Sequence, residues 1–296
     1  MARLKLRVLE EYLQTIEGFE RPKIHLEQYV TRPHIASHLL HTAQTSFDDL
    51  EGKIIADLGC GCGTLTLGAA ALGASFTLGF EVDTDAVKIF RKNAMRFGLP
   101  GQWGIKTGRQ KSTGNRKKNS SPDQEGSDSS ISDDDYDDAS KDSGEESSDS
   151  SSSNGGYIPD SSVDVVLCDV TYGDGLGSSS CRWHKLFDTV VMNPPFGTKN
   201  NQGIDMAFLK AALGMANTAV YTLHKTSTRS YVIAKGKEWG GRGTTAEVLA
   251  KLRFDLPKSY RFHNKKSVDI EVDFIRFGLN DAISCAHDLA RAMTIR

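Results

Sequence analysis

The run Lys53-Ile-Ile-Ala-Asp-Leu58 passes directly into Gly59-Cys-Gly61-Cys-Gly63 and then into the Leu- and Ala-rich stretch Thr64 to Leu72. A short, continuous apolar run reads as a strand buried on both faces, the pattern of a parallel sheet. Glycines at alternate positions let the backbone turn sharply and lie close to a ligand. Strand, glycine turn and helix together form the opening unit of a doubly wound α/β fold. Such folds bind their ligands at the carboxyl ends of the strands.

The same alternation continues. Phe76 to Phe80 reads as a second strand, and Asp85 as the cap of a helix whose apolar residues Val87, Phe90, Ala94 and Phe97 recur at helical spacing. That helix ends at Gly98-Leu-Pro100. Val163 to Cys168, Phe187 to Met192 and Thr218 to Leu223 read as strands, with a helix capped by Asp205 between the last two. Thr245 to Leu252 has helical composition. Val268, Ile270, Val272 and Phe274 alternate with Asp269, Glu271 and Asp273, which predicts a half-exposed strand. Strands alternating with helices imply a mostly parallel twisted sheet with helices on both faces.

Residues 101–160 interrupt this pattern. Ser, Asp, Glu and Gly dominate there, and too little apolar surface is present to offset the entropy of ordering. A disordered insertion is expected, basic at first and then acidic. Of the 38 acidic and 36 basic residues, 13 acids and one base lie in 122–160, so the rest carries 25 acids and 35 bases. The formal charge of −2 therefore hides a basic remainder, compatible with a nucleic-acid substrate. The organisation read from sequence is 1–100 as cap and cofactor half, 101–160 as insertion, 161–277 as the catalytic half of the same domain, and 278–296 as a tail. No apolar run is long enough to span a bilayer. Five cysteines without a Cys-x-x-Cys pair suit a reducing compartment, so nucleus and cytoplasm are the expected locations.

Two constellations carry chemistry. The first is Asp57-x-Gly59-x-Gly61-x-Gly63 followed by Glu81, which ends the second strand. Glu81 lies where a carboxylate can accept both ribose hydroxyls of an adenosyl group. The loop lacks the spacing of the dinucleotide fingerprint, and Asp57 suits the cationic end of S-adenosylmethionine better than a pyrophosphate. Asp169, at the end of the third strand, has two readings: an acceptor for the cofactor's adenine amine, or a turn residue. The second constellation is Asn193-Pro194-Pro195-Phe196 after the strand Phe187 to Met192. Two prolines take the backbone rigidly out of the sheet and leave Asn193 at its top. The Asn193 side-chain oxygen and the Pro194 carbonyl can accept the two protons of an exocyclic amine, directing its lone pair at a methyl donor. Phe196 offers a face for a flipped base.

Other features admit bland readings. His34, His38 and His41 suit a polar helix face as well as a metal site, and no metal is expected. Cys60 and Cys62 read as small packing residues. Lys225, Arg229, Lys235 and Lys237, with Lys258, Arg261, Lys265 and Lys266, form either an RNA-binding rim or a solvated basic face.

With these motifs, the segments Asn193-Pro-Pro-Phe-Gly-Thr-Lys-Asn-Asn201, Asp205-Met-Ala-Phe-Leu-Lys210, Leu223-His-Lys225 and Lys265-Lys-Ser-Val-Asp-Ile-Glu-Val-Asp273 resemble the eukaryotic methyltransferase-like protein five family. The resemblance covers roughly Leu9 to Phe277 apart from the insertion. It implies a Rossmann-like class I methyltransferase fold and N6-methylation of an adenosine in small-subunit (18S) rRNA. It also implies that Gln28, Thr31, Gly59, Cys62, Thr64, Glu81, Asp169 and Val170 contact S-adenosylmethionine. Glu81 stands where an Asp is familiar, and Thr64 replaces an aliphatic residue. Family members pair with a small zinc-binding activator subunit by strand addition, so a heterodimer is expected. Guanine-N2 methylation of RNA, glutamine-N5 methylation of a protein and a non-catalytic RNA-binding scaffold are the alternatives. The glutamine methyltransferases usually carry Tyr in place of Phe196.

Overall fold

A computed structural model describes residues 4–97, 162–173, 175–197, 201–257 and 267–279; side chains are not described at 255–257 and 267–269. The insertion 101–160 and nearly all of the tail 278–296 lie outside them, as do Lys258, Arg261, Lys265 and Lys266.

Seven strands form one sheet in the order β3-β2-β1-β4-β5-β7-β6. They are β1 (Ile54–Leu58), β2 (Phe76–Glu81), β3 (Ser162–Leu167), β4 (Phe187–Met192), β5 (Ala216–Lys225), β6 (Thr245–Pro257) and β7 (Ser267–Gly278). The first five run parallel, and β7 lies antiparallel between β5 and β6. Among the described residues the α-helices are α1 (Leu6–Gln14), α2 (Pro33–Phe47), α3 (Thr64–Ala71), α4 (Thr84–Arg96), α5 (Ile204–Met215) and α6 (Arg229–Gly240). All described residues fall in one compact unit.

Period-two alternation along the strands builds two cores. Ile55, Val191, Ala219, Tyr221 and Leu223 pack with α1, α2 and α3 on one face. Ala56, Leu58, Val190, Met192 and Val220 pack with α5 on the other, where Val232 of α6 joins them. Neighbouring residues on one strand thus serve opposite layers. Every residue of α3 is buried, because the helix lies between the sheet and α1 and α2. Its Gly68 permits that approach: a Cβ there would stand 2.4 Å from Cδ1 of Leu40.

Four details depart from the sequence reading. The stretch 245–252 is not helical but the first part of β6, which pairs antiparallel with β7. Ala, Glu, Leu and Lys favour helix locally, yet pairing along β7 satisfies the backbone and overrides that preference. In β7 the expected alternation holds at Glu271, which is exposed, and at Val272 and Phe274, which are buried, but Asp273 breaks it and is buried, because β7 sits inside the sheet. Asp83, not Asp85, caps α4, accepting from the Asp85 N–H at 3.0 Å. Gly203 in the left-handed region, not Asp205, opens α5. α1 and α6 were not foreseen.

Candidate active site

A cavity of about 390 Å³ opens above the carboxyl ends of the parallel strands. Its walls come from the glycine turn, Glu81, residues 168–171, Asn193 and Pro195, and from a segment crossing above them, His25 to Thr31. Gln28, Thr31, Asp57, Gly59, Gly61, Cys62, Thr64, Glu81, Asp169 and Val170 all line it. Gly63 does not. It starts α3 at φ 98°, and a Cβ there would lie 2.8 Å from the Phe90 ring, so it shapes the turn instead.

The turn between β1 and α3 is held by the acid at the end of β2. One Glu81 oxygen accepts from the Gly61 N–H at 2.8 Å, and the other from the Val82 and Asp83 N–H groups at 2.9 Å each. Burial pushes the Glu81 carboxyl above its usual range, against the pull of those three donors. Asp57 is 2% exposed and accepts from the Thr66 hydroxyl at 2.6 Å. Burial raises its carboxyl to about 7, opposed by Thr66. Among the described residues neither acid pairs with a basic side chain. Two buried acids beside a backbone turn, with no protein cation, fit a ligand that brings positive charge and a diol.

Other predicted contacts have partners of their own. Asp169 accepts from the Thr171 N–H at 2.9 Å and from its hydroxyl at 2.7 Å through one oxygen, so it makes the turn while also facing the cavity. Gln28 bridges the Lys23 N–H at 2.8 Å and Asp83 at 2.7 Å, which fastens the crossing segment to the start of α4. The Cys60 and Cys62 thiols are pushed up by burial, Cys62 to about 12, and stay protonated. On the outside of the fold, Glu10, His34 and His38 bring ligand atoms within 4.8 Å of one another, without His41.

The Asn193-Pro194-Pro195-Phe196 stretch forms a corner directly after β4. Asn193 and Pro195 line the cavity, whereas Pro194 and Phe196 are buried and do not. The Asn193 amide N–H donates to the Thr31 hydroxyl at 2.9 Å, which fixes the direction of its side-chain oxygen. That oxygen accepts from the Tyr29 hydroxyl at 3.2 Å, and so does the Pro194 carbonyl at 3.1 Å. Phe196 is 3% exposed and its face is covered by the Tyr29 ring, centroids 5.4 Å apart and 18° from parallel. The face read from sequence as a base platform is therefore occupied.

Three supporting residues are not among the site residues read from the sequence. Asn93 on α4 is buried and donates to the Cys62 carbonyl at 2.9 Å and the Glu17 carbonyl at 3.0 Å, tying the glycine turn to the N-terminal segment. Asp83 anchors Gln28 and Lys23. Tyr29 lies between Gln28 and Thr31, the two contacts that the family resemblance implies, and reaches Asn193 and Pro194. Of the basic rim, Arg229 pairs with Asp273 at 2.6 Å and Lys235 with Glu238 at 2.8 Å.

This strand order, with a glycine turn, a buried acid at the end of β2 and an Asn-Pro-Pro-Phe corner around one cavity, defines an S-adenosylmethionine-dependent methyltransferase of the Rossmann-like class. Residues 38–118 match the family model "Ribosomal protein L11 methyltransferase (PrmA)". A solved protein of Pyrococcus horikoshii, assigned provisionally as an RNA methyltransferase, superposes with a TM-score of 0.60 at 25% identity, over 94% of this chain and 98% of that one. The chain is 44% identical to the rRNA N(6)-adenosine-methyltransferase METTL5 of Danio rerio over 93% of its length and 99% of the relative's. It is 45% identical to the Drosophila melanogaster protein of that name, over 94% and 98%. The chain belongs to the METTL5 family of rRNA N(6)-adenosine-methyltransferases.

The charge state of Asp57 should make S-adenosylmethionine binding pH-dependent. Its folded value lies near 7, above that of an unfolded carboxyl, so the folded chain holds a proton that the unfolded chain has lost. This group's contribution to stability therefore falls as pH rises from about 4 to about 7. A cationic ligand favours the carboxylate. S-adenosylmethionine affinity should rise by up to about tenfold per pH unit from pH 5 to 7 and then level, with proton release on binding. Calorimetry in buffers of different ionisation enthalpy checks this, and Asp57→Asn should flatten the profile.

Proposed function

We propose that the adenosine whose N6 this enzyme methylates lies in small-subunit (18S) rRNA, and that Asn193-Pro194-Pro195-Phe196 holds the amine. The observation that carries the reading is the pair of acceptors, the Asn193 side-chain oxygen and the Pro194 carbonyl, converging on one hydroxyl at 3.2 and 3.1 Å. Two acceptors within reach of one donor atom suit the two protons of an NH2 group. Asn193 and Pro194 draw those protons aside, so the nitrogen lone pair turns from the ring toward the cavity. Thr31 keeps the Asn193 amide from rotating, and the two prolines keep the corner from moving, so the chain acts mainly by orientation. When bound, S-adenosylmethionine supplies an electrophilic methyl on a cationic sulfonium. Glu81 would hold its ribose, Asp57 its cationic end, and Asp169, through its remaining oxygen, the adenine amine. Gln28, Thr31, Cys62, Thr64 and Val170 supply the surrounding wall.

We further propose a heterodimer with a small zinc-binding activator subunit. Among the described residues β3 ends the sheet on one side, and beside it Leu167 and Val82 are 54% and 48% exposed. An unpaired strand flanked by apolar side chains invites strand addition. Lys225 and Lys237 carry the RNA-rim reading that Arg229 and Lys235, already paired with acids, support less. A nuclear and cytoplasmic location is part of the proposal; the free thiols of the four described cysteines are compatible with a reducing compartment. No described helix is long and apolar enough to cross a membrane.

The test is incubation with labelled S-adenosylmethionine and ribosomal RNA, with and without the activator, followed by nucleoside analysis. N6-methyladenosine in 18S rRNA is expected. N2-methylguanosine, or label confined to protein glutamine, would replace the reading. No turnover beside intact cofactor and RNA binding would favour the scaffold.

A further inference from the structure

We propose that Tyr29 is the resting occupant of the target-base slot and leaves it when the base enters. The proposal rests on the adenine reading above and deepens it. Four relations coincide at one side chain. The Tyr29 ring stacks on Phe196, where a flipped base is expected to stack. Its hydroxyl sits on both amine acceptors, the Asn193 oxygen and the Pro194 carbonyl. The third wall is Phe254 of β6, edge-on to Tyr29 at 6.3 Å and to Phe196 at 5.9 Å. A flat six-membered ring with a donor at its edge thus fills a slot whose surfaces are aromatic and whose one polar end is two acceptors. That is the outline of a nucleobase bearing an exocyclic amine.

The exchange is favourable in hydrogen bonds. A phenol has one proton to share between two acceptors, and an amine has one for each. Adenine entering the slot therefore satisfies a carbonyl that Tyr29 satisfies only in part. Stacking on Phe196 is replaced like for like. Tyr29 belongs to the same short segment as Gln28 and Thr31, and Asn201 donates to the His25 carbonyl at 2.8 Å and to Glu27 at 3.1 Å. The segment is thus anchored on both sides of the tyrosine, and rotation of one side chain can open the slot while the cofactor wall stays in place. A slot filled by the protein reduces apparent affinity for RNA by the fraction of time it is open.

Tyr29→Phe keeps the stacked ring and removes the bond to both acceptors. In the full chain with its activator, the apparent KM for ribosomal RNA should fall roughly three- to tenfold, while S-adenosylmethionine affinity stays within about twofold. An unchanged or raised KM would overturn the proposal. So would a collapse of kcat, because Tyr29 would then belong to the productive wall. A second readout uses the wild-type protein labelled with 3-fluorotyrosine, its Tyr29 fluorine resonance identified by its loss in Tyr29→Phe. Saturating ribosomal RNA or free adenosine should move that resonance to a solvent-exposed position, and the cofactor alone should not. A resonance that stays put while RNA is bound sinks the gate. If no N6-methyladenosine forms with any variant, the adenine reading fails, whereas the resonance still reports whether a base ligand displaces Tyr29.

Discussion

Asn193→Ala is expected to lower kcat by roughly 10²–10³-fold, the loss typical when one preorganised polar contact to the reacting group is removed. Affinity for S-adenosylmethionine should change little, because the glycine turn, Glu81 and Asp57 do not depend on the Asn193 amide for their bonds. The substitution deletes the acceptor for one amine proton and frees Thr31, whose hydroxyl accepts from Asn193 at 2.9 Å. Single-turnover methylation beside calorimetric cofactor binding separates the two effects. If binding and turnover fall together, Asn193 is holding the pocket rather than the amine.

Arg229→Ala should produce the largest loss of stability. Asp273 is fully buried, and Arg229 grips it through Nε and Nη2 at 2.6 Å each, with the Thr226 hydroxyl at 2.9 Å. Burial alone would raise the Asp273 carboxyl; the Arg229 and Thr226 bonds outweigh it, and the carboxyl lies below its usual range. A group depressed in this way contributes stability above the unfolded carboxyl value, and that contribution disappears as pH falls through the folded value. Removing the guanidinium leaves the buried Asp273 carboxylate without its bidentate partner, so a clearly lowered Tm is expected. Thermal unfolding across pH 3 to 7 checks both statements. Adding Asp273→Asn should recover part of the loss. A Tm unchanged in Arg229→Ala would mean that water replaces the guanidinium. Such a variant should also show why RNA-binding losses at this position cannot be read as contact losses.

The parts of the fold legible in sequence are those whose signal is local and repeated. β4 ends at the residues its apolar run marks, and β1 differs by one. The glycine turn and Glu81 lie together because strand spacing fixes them. Boundaries and caps depended on geometry that composition does not carry: Asp83 and Asp85 are equally good caps on paper, and only the chain path into α4 selects the first. β6 was misread because its residues favour helix and its strand exists only against β7. Asp273 was misread because alternation reports which residues share a face, not whether that face meets water. At the site, Asn193 and Pro195 were placed by motif. Tyr29 lies 164 residues from Asn193 in the chain, and no pattern near it announces that it reaches the corner.

The position of β7 bears on how the protein comes off the ribosome. Among the described residues β6 has hydrogen-bonded strand partners only in β7, and β7 follows it in the chain. Until residues 267–278 have been made, residues 245–257 have nothing to join, Arg229 has no carboxylate, and Asp49 lacks Arg276. Folding of this half must therefore wait for synthesis to reach its far end. A premature stop anywhere between codons 258 and 267 would strip two strands from the sheet rather than one.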